Sequence, residues 1–60
     1  MDAMLTEAEA AERLNISTRT LADARRAGEG PRWYDLGTAG RALVRYRAED
    51  LDAWLAERAK

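Results

Sequence analysis

Two periodicities run along the chain, one helical and one extended. Ala10, Ala11 and Leu14 fall at i, i+1 and i+4 and share one helical face. Thr6 stands three residues before Glu9, the spacing of a capping box, and Leu5 and Ala10 occupy the hydrophobic-staple positions. Asn15, well suited to a left-handed helix end, follows Leu14. These signals predict a helix over 7–14. Ser17 then caps a second helix over 18–27, with Ile16 and Leu21 as its staple pair and Gly28 as its stop. Only Asn15 and Ile16 separate Leu14 from the Ser17 cap, so the two helices are expected to cross sharply. On a wheel of about 100° per residue, Leu21 and Ala24 lie together, flanked by Thr20. Arg19, Ala22, Asp23 and Arg26 take the opposite, outward face.

After the loop Glu29-Gly30-Pro31 the period changes to two. Residues 33–36 and 42–47 predict two strands, and Gly37-Thr38-Ala39-Gly40 between them predicts a hairpin tip. Val44 and Tyr46 point one way, Arg45 and Arg47 the other; Tyr34 and Leu36 share a face. A last helix is predicted over 48–58. Glu49, Asp50 and Asp52 suit its positive end, and Arg58 and Lys60 its negative end. Its apolar stripe is Leu51, Trp54 and Leu55. The predicted class is mainly α with a small β-hairpin, one domain over 1–60 in the order helix-helix-strand-strand-helix.

Composition narrows the chemistry. Of 28 hydrophobic residues among the 60, 13 are Ala, which leaves few large side chains to spare for a ligand pocket. The chain has no Cys and no His, so it offers no thiolate or imidazole for a metal site, a disulfide framework or nucleophilic catalysis. Asp50 and Asp52 are two residues apart on a helix and diverge, so they make no paired acid site. No enzyme activity, metal, cofactor or small-molecule ligand is expected. No apolar run approaches a membrane span, and Met1-Asp2-Ala3 shows no basic region or apolar signal core. A stapleless chain of this size is expected to be cytoplasmic.

The net charge of −1 argues at first against a nucleic-acid partner. It conceals a segregation: −4 over residues 1–12, +5 over 13–47 and −2 over 48–60. Nine of the ten bases are Arg, which suits bidentate contact with phosphate or guanine. The basic block coincides with the second helix and the hairpin. A phosphate backbone responds to that patch within a Debye length of about 8 Å, rather than to distant acids.

The ordered set Leu5-Thr6-Glu7-Ala8-Glu9-Ala10-Ala11, Leu14-Asn15-Ile16-Ser17, Thr20-Leu21, Gly28, Gly30-Pro31, Leu36-Gly37, Val44-Arg45-Tyr46-Arg47 and Asp50-Leu51-Asp52-Ala53-Trp54-Leu55 resembles the excisionase-like winged helix-turn-helix family. That family is related to the DNA-binding domains of MerR-type regulators. Two departures stand out: the low overall basicity, and Asp23 where a neutral or basic residue is common. The resemblance implies that the second helix is a recognition helix for double-stranded DNA and the hairpin, 33–47, its wing. Thr18, Arg19, Ala22, Asp23 and Arg26 would then face base edges in the major groove. Arg19 and Arg26 suit guanine and Ala22 a thymine methyl. Asp23 suits a cytosine amino group or, equally, pairing with Arg19 or Arg26. Ser17, Thr20, Arg25, Arg41 and Arg45 are the candidates for phosphate or wing contacts, with Asp35 an alternative, intramolecular partner for Arg45. Tyr46 and Trp54 belong to the core. Trp33 either covers that core or anchors another protein. Arg13, Arg32 and Arg47 carry no assignment.

The function expected from the resemblance is that of an excisionase, or recombination directionality factor, from a bacterial or phage-like source. Such a protein binds DNA cooperatively beside copies of itself, bends it and steers an integrase. A small transcriptional regulator of the same fold is the alternative, and a protein-interaction module that has lost DNA binding is the alternative of another class. Met1 and the helical ending are those expected of a whole protein, which disfavours a fragment of a phage DNA-packaging subunit.

Overall fold

The computed structural model describes residues 4–59. Lys60, the second cation expected at the end of the last helix, lies outside them, as do Met1, Asp2 and Ala3. The elements are β1 (Met4–Thr6), α1 (Glu7–Leu14), α2 (Thr18–Ala27), β2 (Tyr34–Asp35), β3 (Val44–Arg47) and α3 (Ala48–Arg58).

Local signals at the helix ends operate as their chemistry dictates. The Thr6 hydroxyl accepts from the Glu9 N–H at 3.1 Å, and the Glu9 carboxylate accepts from the Thr6 N–H at 2.8 Å. Asn15 takes the left-handed conformation (φ 58°), and the Ile16 N–H returns to the Ala11 carbonyl at 3.0 Å. Gly28 does the same for α2 (φ 72°), with the Glu29 N–H on the Ala24 carbonyl at 2.9 Å. Ser17 caps α2 by accepting from the Thr20 N–H at 3.0 Å.

The sheet holds one strand more than the expected hairpin. β1 pairs antiparallel with β3, giving the order β1-β3-β2 with β3 in the centre. The register sets Leu5 opposite Tyr46, on the face that meets the helices, and Thr6 and Tyr34 on either side of Arg45, on the other face. The wing strands are shorter than expected because the 33–36 and 42–47 runs pair as a ladder only at their inner ends. Beyond these ends Asp35 takes over. One of its carboxylate oxygens accepts from the N–H of Gly37 at 2.9 Å and of Leu43 at 3.0 Å. These two bonds hold its carboxyl below the usual range, Leu43 contributing most. A turn closed by the Arg41 N–H on the Thr38 carbonyl, with Gly40 at φ 79°, completes the tip.

The core is Ala10, Ala11, Leu21, Tyr46 and Leu51, all at 1% exposure or less, with Leu5, Leu14 and Val44 packed against it. Leu55, expected in the apolar stripe of α3, is exposed, as is Ile16. Trp54 is half-buried, with its indole N–H on the Glu29 carbonyl at 3.3 Å and Arg58 over its ring. The core is so thin that Leu51 is the one residue of α3 that is fully covered. Winged helix-turn-helix architecture follows from this arrangement: α1 and α2 cross at a three-residue turn, and the hairpin lies beyond α2.

A Cβ on Gly37 would overlap the Arg41 carbonyl oxygen and crowd the Leu43 nitrogen, both backbone atoms. Gly37→Ala is therefore expected to open the wing while leaving the helices formed. Amide hydrogen exchange should then quicken at Leu36 and Leu43; protection equal to that of the parent would contradict this account.

Candidate nucleic-acid interface

The outward stripe of α2 is Arg19, Asp23 and Arg26, spaced i, i+4 and i+7. The Arg19 and Arg26 side chains are 90% and 70% exposed, and Asp23 between them reaches both, at 4.0 and 3.8 Å. These contacts are long and solvated, so they leave the two guanidinium groups largely free to reach a partner. Thr18, Ser17 and Thr20 are exposed at the start of the helix. The Ser17 hydroxyl is committed locally, donating to Thr20 Oγ1 at 2.7 Å while accepting from the Thr20 N–H.

Three candidates stand elsewhere than the sequence places them. Ala22 is buried, at 8% exposure, and offers no methyl to a base. The inner stripe of α2 is Leu21, Ala22 and Arg25, about one residue round from the Leu21–Ala24 face that the apolar pattern suggests. Its third member is a cation, invisible to a hydrophobicity count. Arg25 is not a free phosphate ligand. Its Nε donates to Glu7 Oε2 at 2.7 Å, with both side chains under 20% exposed, and its guanidinium lies 5.4 Å from the centre of the Trp33 ring. Arg45 is half-buried on the central strand and donates to the Val44 carbonyl at 2.8 Å, while Asp35, its suggested partner, is engaged at the hairpin. Arg41 is exposed at the wing tip.

Glu7 is the residue that sequence reasoning missed. The same Oε2 that takes the Arg25 bond accepts from the Tyr46 hydroxyl at 3.0 Å. One carboxylate thus joins α1, α2 and β3. Arg25 holds the Glu7 carboxyl below its ordinary value, against burial, and Tyr46 adds to the effect. Burial first, and then the Glu7 carboxylate, push the Tyr46 hydroxyl up to about 12. The one local signal was an acid at the first turn of α1, which reads as a dipole partner. Arg13 and Arg47, unassigned from sequence, pair with Asp52 (3.1 Å) and with Glu49.

A family model for the helix-turn-helix domain matches residues 4–59. The chain belongs to that family, which contains the excisionase-like proteins. No curated protein matches it. A helix-turn-helix domain supports a DNA-binding function, and families of such domains are generally non-enzymatic. No helix among the described residues is long and apolar enough to cross a membrane.

The Glu7 node makes stability depend on acid. A carboxyl with a depressed folded-state pKa stabilises the fold fully above its unfolded value, about 4.3, and loses that contribution as pH falls through the folded value. Glu7→Gln is expected to cost about 2–3 kcal/mol at neutral pH, by leaving Arg25 without its counter-charge. Thermal melts should show the gap between parent and variant closing below about pH 4. A gap that is constant with pH would mean that the ion pair contributes nothing to stability.

Proposed function

We propose that the protein is a sequence-specific binder of double-stranded DNA, with α2 in the major groove and the wing against the backbone. The observation that carries this reading is the outward stripe of α2. Arg19 and Arg26 are the two most exposed ion-paired arginines, and neither holds another element in place. Their forks suit guanine N7 and O6, and Asp23 between them holds neither tightly. Thr18 lies at the start of the same helix, where its backbone N–H and that of Arg19, together with the Thr20 hydroxyl, suit a phosphate, while Ser17 orients that hydroxyl by donating to it. Arg41 at the wing tip suits a second phosphate or the minor groove, and Arg45 lies further back on the same hairpin.

Within that function we infer an excisionase-type role: several copies side by side on DNA, bending it for an integrase. A module with one helix and one short wing has a footprint of about 600–1,000 Å². That is small for useful specificity, and the short helices carry no heptad zipper to make a dimer. Adjacent copies on DNA supply what one copy lacks. A protein-interaction module remains the second reading, favoured by the pairing of Asp23 with both outward arginines and by the acidic ends of the chain.

Duplex titration at two salt concentrations separates these. About four phosphate contacts predict a loss of about 100-fold in affinity between 50 and 200 mM salt. Arg19→Ala and Arg26→Ala should each cost about 1–3 kcal/mol of discrimination and leave the circular dichroism unchanged. Weak binding with a flat salt response would favour the interaction module. On DNA carrying adjacent sites, analytical ultracentrifugation should find the second copy bound more tightly than the first. Strictly independent monomers would remove the excisionase-type role and leave simple DNA binding.

A further inference from the structure

Arg32 and Trp33 stand on the loop between α2 and the wing. Arg13, Arg19, Arg25, Arg26 and Arg47 each pair with a carboxylate; among the described residues, Arg32 pairs with none. It is exposed, yet not loose. Its guanidinium lies 5.2 Å from the centre of the Tyr34 ring, and the Tyr34 hydroxyl is tied to Asp50 of α3 at 2.9 Å. Stacking on a fixed ring occupies the face of a guanidinium and leaves its in-plane N–H groups directed outward, the geometry that takes a phosphate by two parallel bonds.

The next residue supplies a second donor. The Trp33 ring is 40% exposed and held beneath the charge-compensated Arg25. Its indole N–H is a donor only, and among the described residues it finds no acceptor. Both residues line an open groove of about 250 Å³, together with Arg25, Gly28, Gly30 and Pro31. Pro31 is buried, and Gly30 lies close on Ala24, where a Cβ would meet the Ala24 Cβ at 3.3 Å. The loop is thereby seated on the end of α2. The last carbonyls of α2 do not confront an anion there unmet, since the Gly28 and Glu29 N–H groups cap them.

We propose that this groove holds one backbone phosphate of DNA, between the Arg32 guanidinium and the Trp33 indole N–H, at the junction of the reading helix and the wing. The inference rests on the DNA-binding reading above. The contact is independent of base sequence, and both donors are held in place before binding, which lowers the entropy lost on association.

Fluorescence anisotropy with a labelled mixed-sequence duplex across a salt series tests it. Arg32→Ala should weaken binding and reduce the slope of log K against log salt by about 0.9, one phosphate's worth. Its melting temperature should match the parent's, because Arg32 is exposed. Arg32→Lys keeps the charge and loses the fork, so the slope should return while affinity stays below the parent's. Trp33→Phe keeps a ring under Arg25 and removes the donor; affinity should fall several-fold with the slope unchanged. A parent-like slope in Arg32→Ala overturns the proposal, even if Arg32 then proves to bind an acidic protein. A parent protein with no salt-dependent binding overturns the DNA-binding reading instead. A parent that binds steeply, loses binding in Arg19→Ala and ignores Arg32→Ala overturns this inference alone.

Discussion

The Glu7 carboxylate is the point on which three elements of this small domain converge. Tyr46, wholly buried on the central strand, brings a hydroxyl that needs an acceptor. Arg25, on the inner stripe of α2, brings a cation that needs a counter-charge. Neither could be buried alone without leaving a polar group unmatched, and Glu7 at the start of α1 answers both with one oxygen. The core around it is thin, with two alanines among its five members, so apolar burial alone leaves the helix angles loosely set. A directional node supplies what shape complementarity does not. Through Arg25 it extends to Trp33, and so the lie of the wing relative to α2 is tied to the same carboxylate.

This division of labour sorts the arginines. Arg13, Arg25 and Arg47 hold the molecule together, pairing with Asp52, Glu7 and Glu49. Arg19 and Arg26 pair only within their own helix, through Asp23, and stay largely in solvent. A net charge near zero is therefore compatible with a locally basic surface. Three of the acids, Asp52, Glu7 and Glu49, are spent on such arginines, and among the cations left outward Arg19 and Arg26 lie on α2 and Arg41 on the wing.

The sequence made the helix ends legible because caps are local. Thr6 with Glu9, Asn15, Ser17 and Gly28 each act within a few residues, and each is found in that role. The alternation of Val44 and Tyr46 against Arg45 and Arg47 was equally readable, because a period of two needs no partner to be recognised. β1 was not readable. Three residues show no period, and Met4–Thr6 is a strand only because β3 lies alongside. The outward stripe of the candidate interface was legible at Arg19, Asp23 and Arg26, but the same wheel left Ala22 outside and Arg25 at the edge. An alanine has too little surface to declare its side, and an arginine counts as polar wherever it stands. Leu55 erred the other way: its spacing from Leu51 belongs to an apolar stripe, but the core is too small to cover it.

By itself, then, the sequence determined where the helices begin and end, which way the wing strand faces and where the basic charge is concentrated. These depend on bonds within one turn or on a simple period. Tertiary structure decided which arginines are free. That choice rests on whether an acid 18 or 39 positions away arrives at the guanidinium, as Glu7 does for Arg25 and Asp52 for Arg13. Long-range pairing of this kind follows from how the elements pack, and no local pattern carries it.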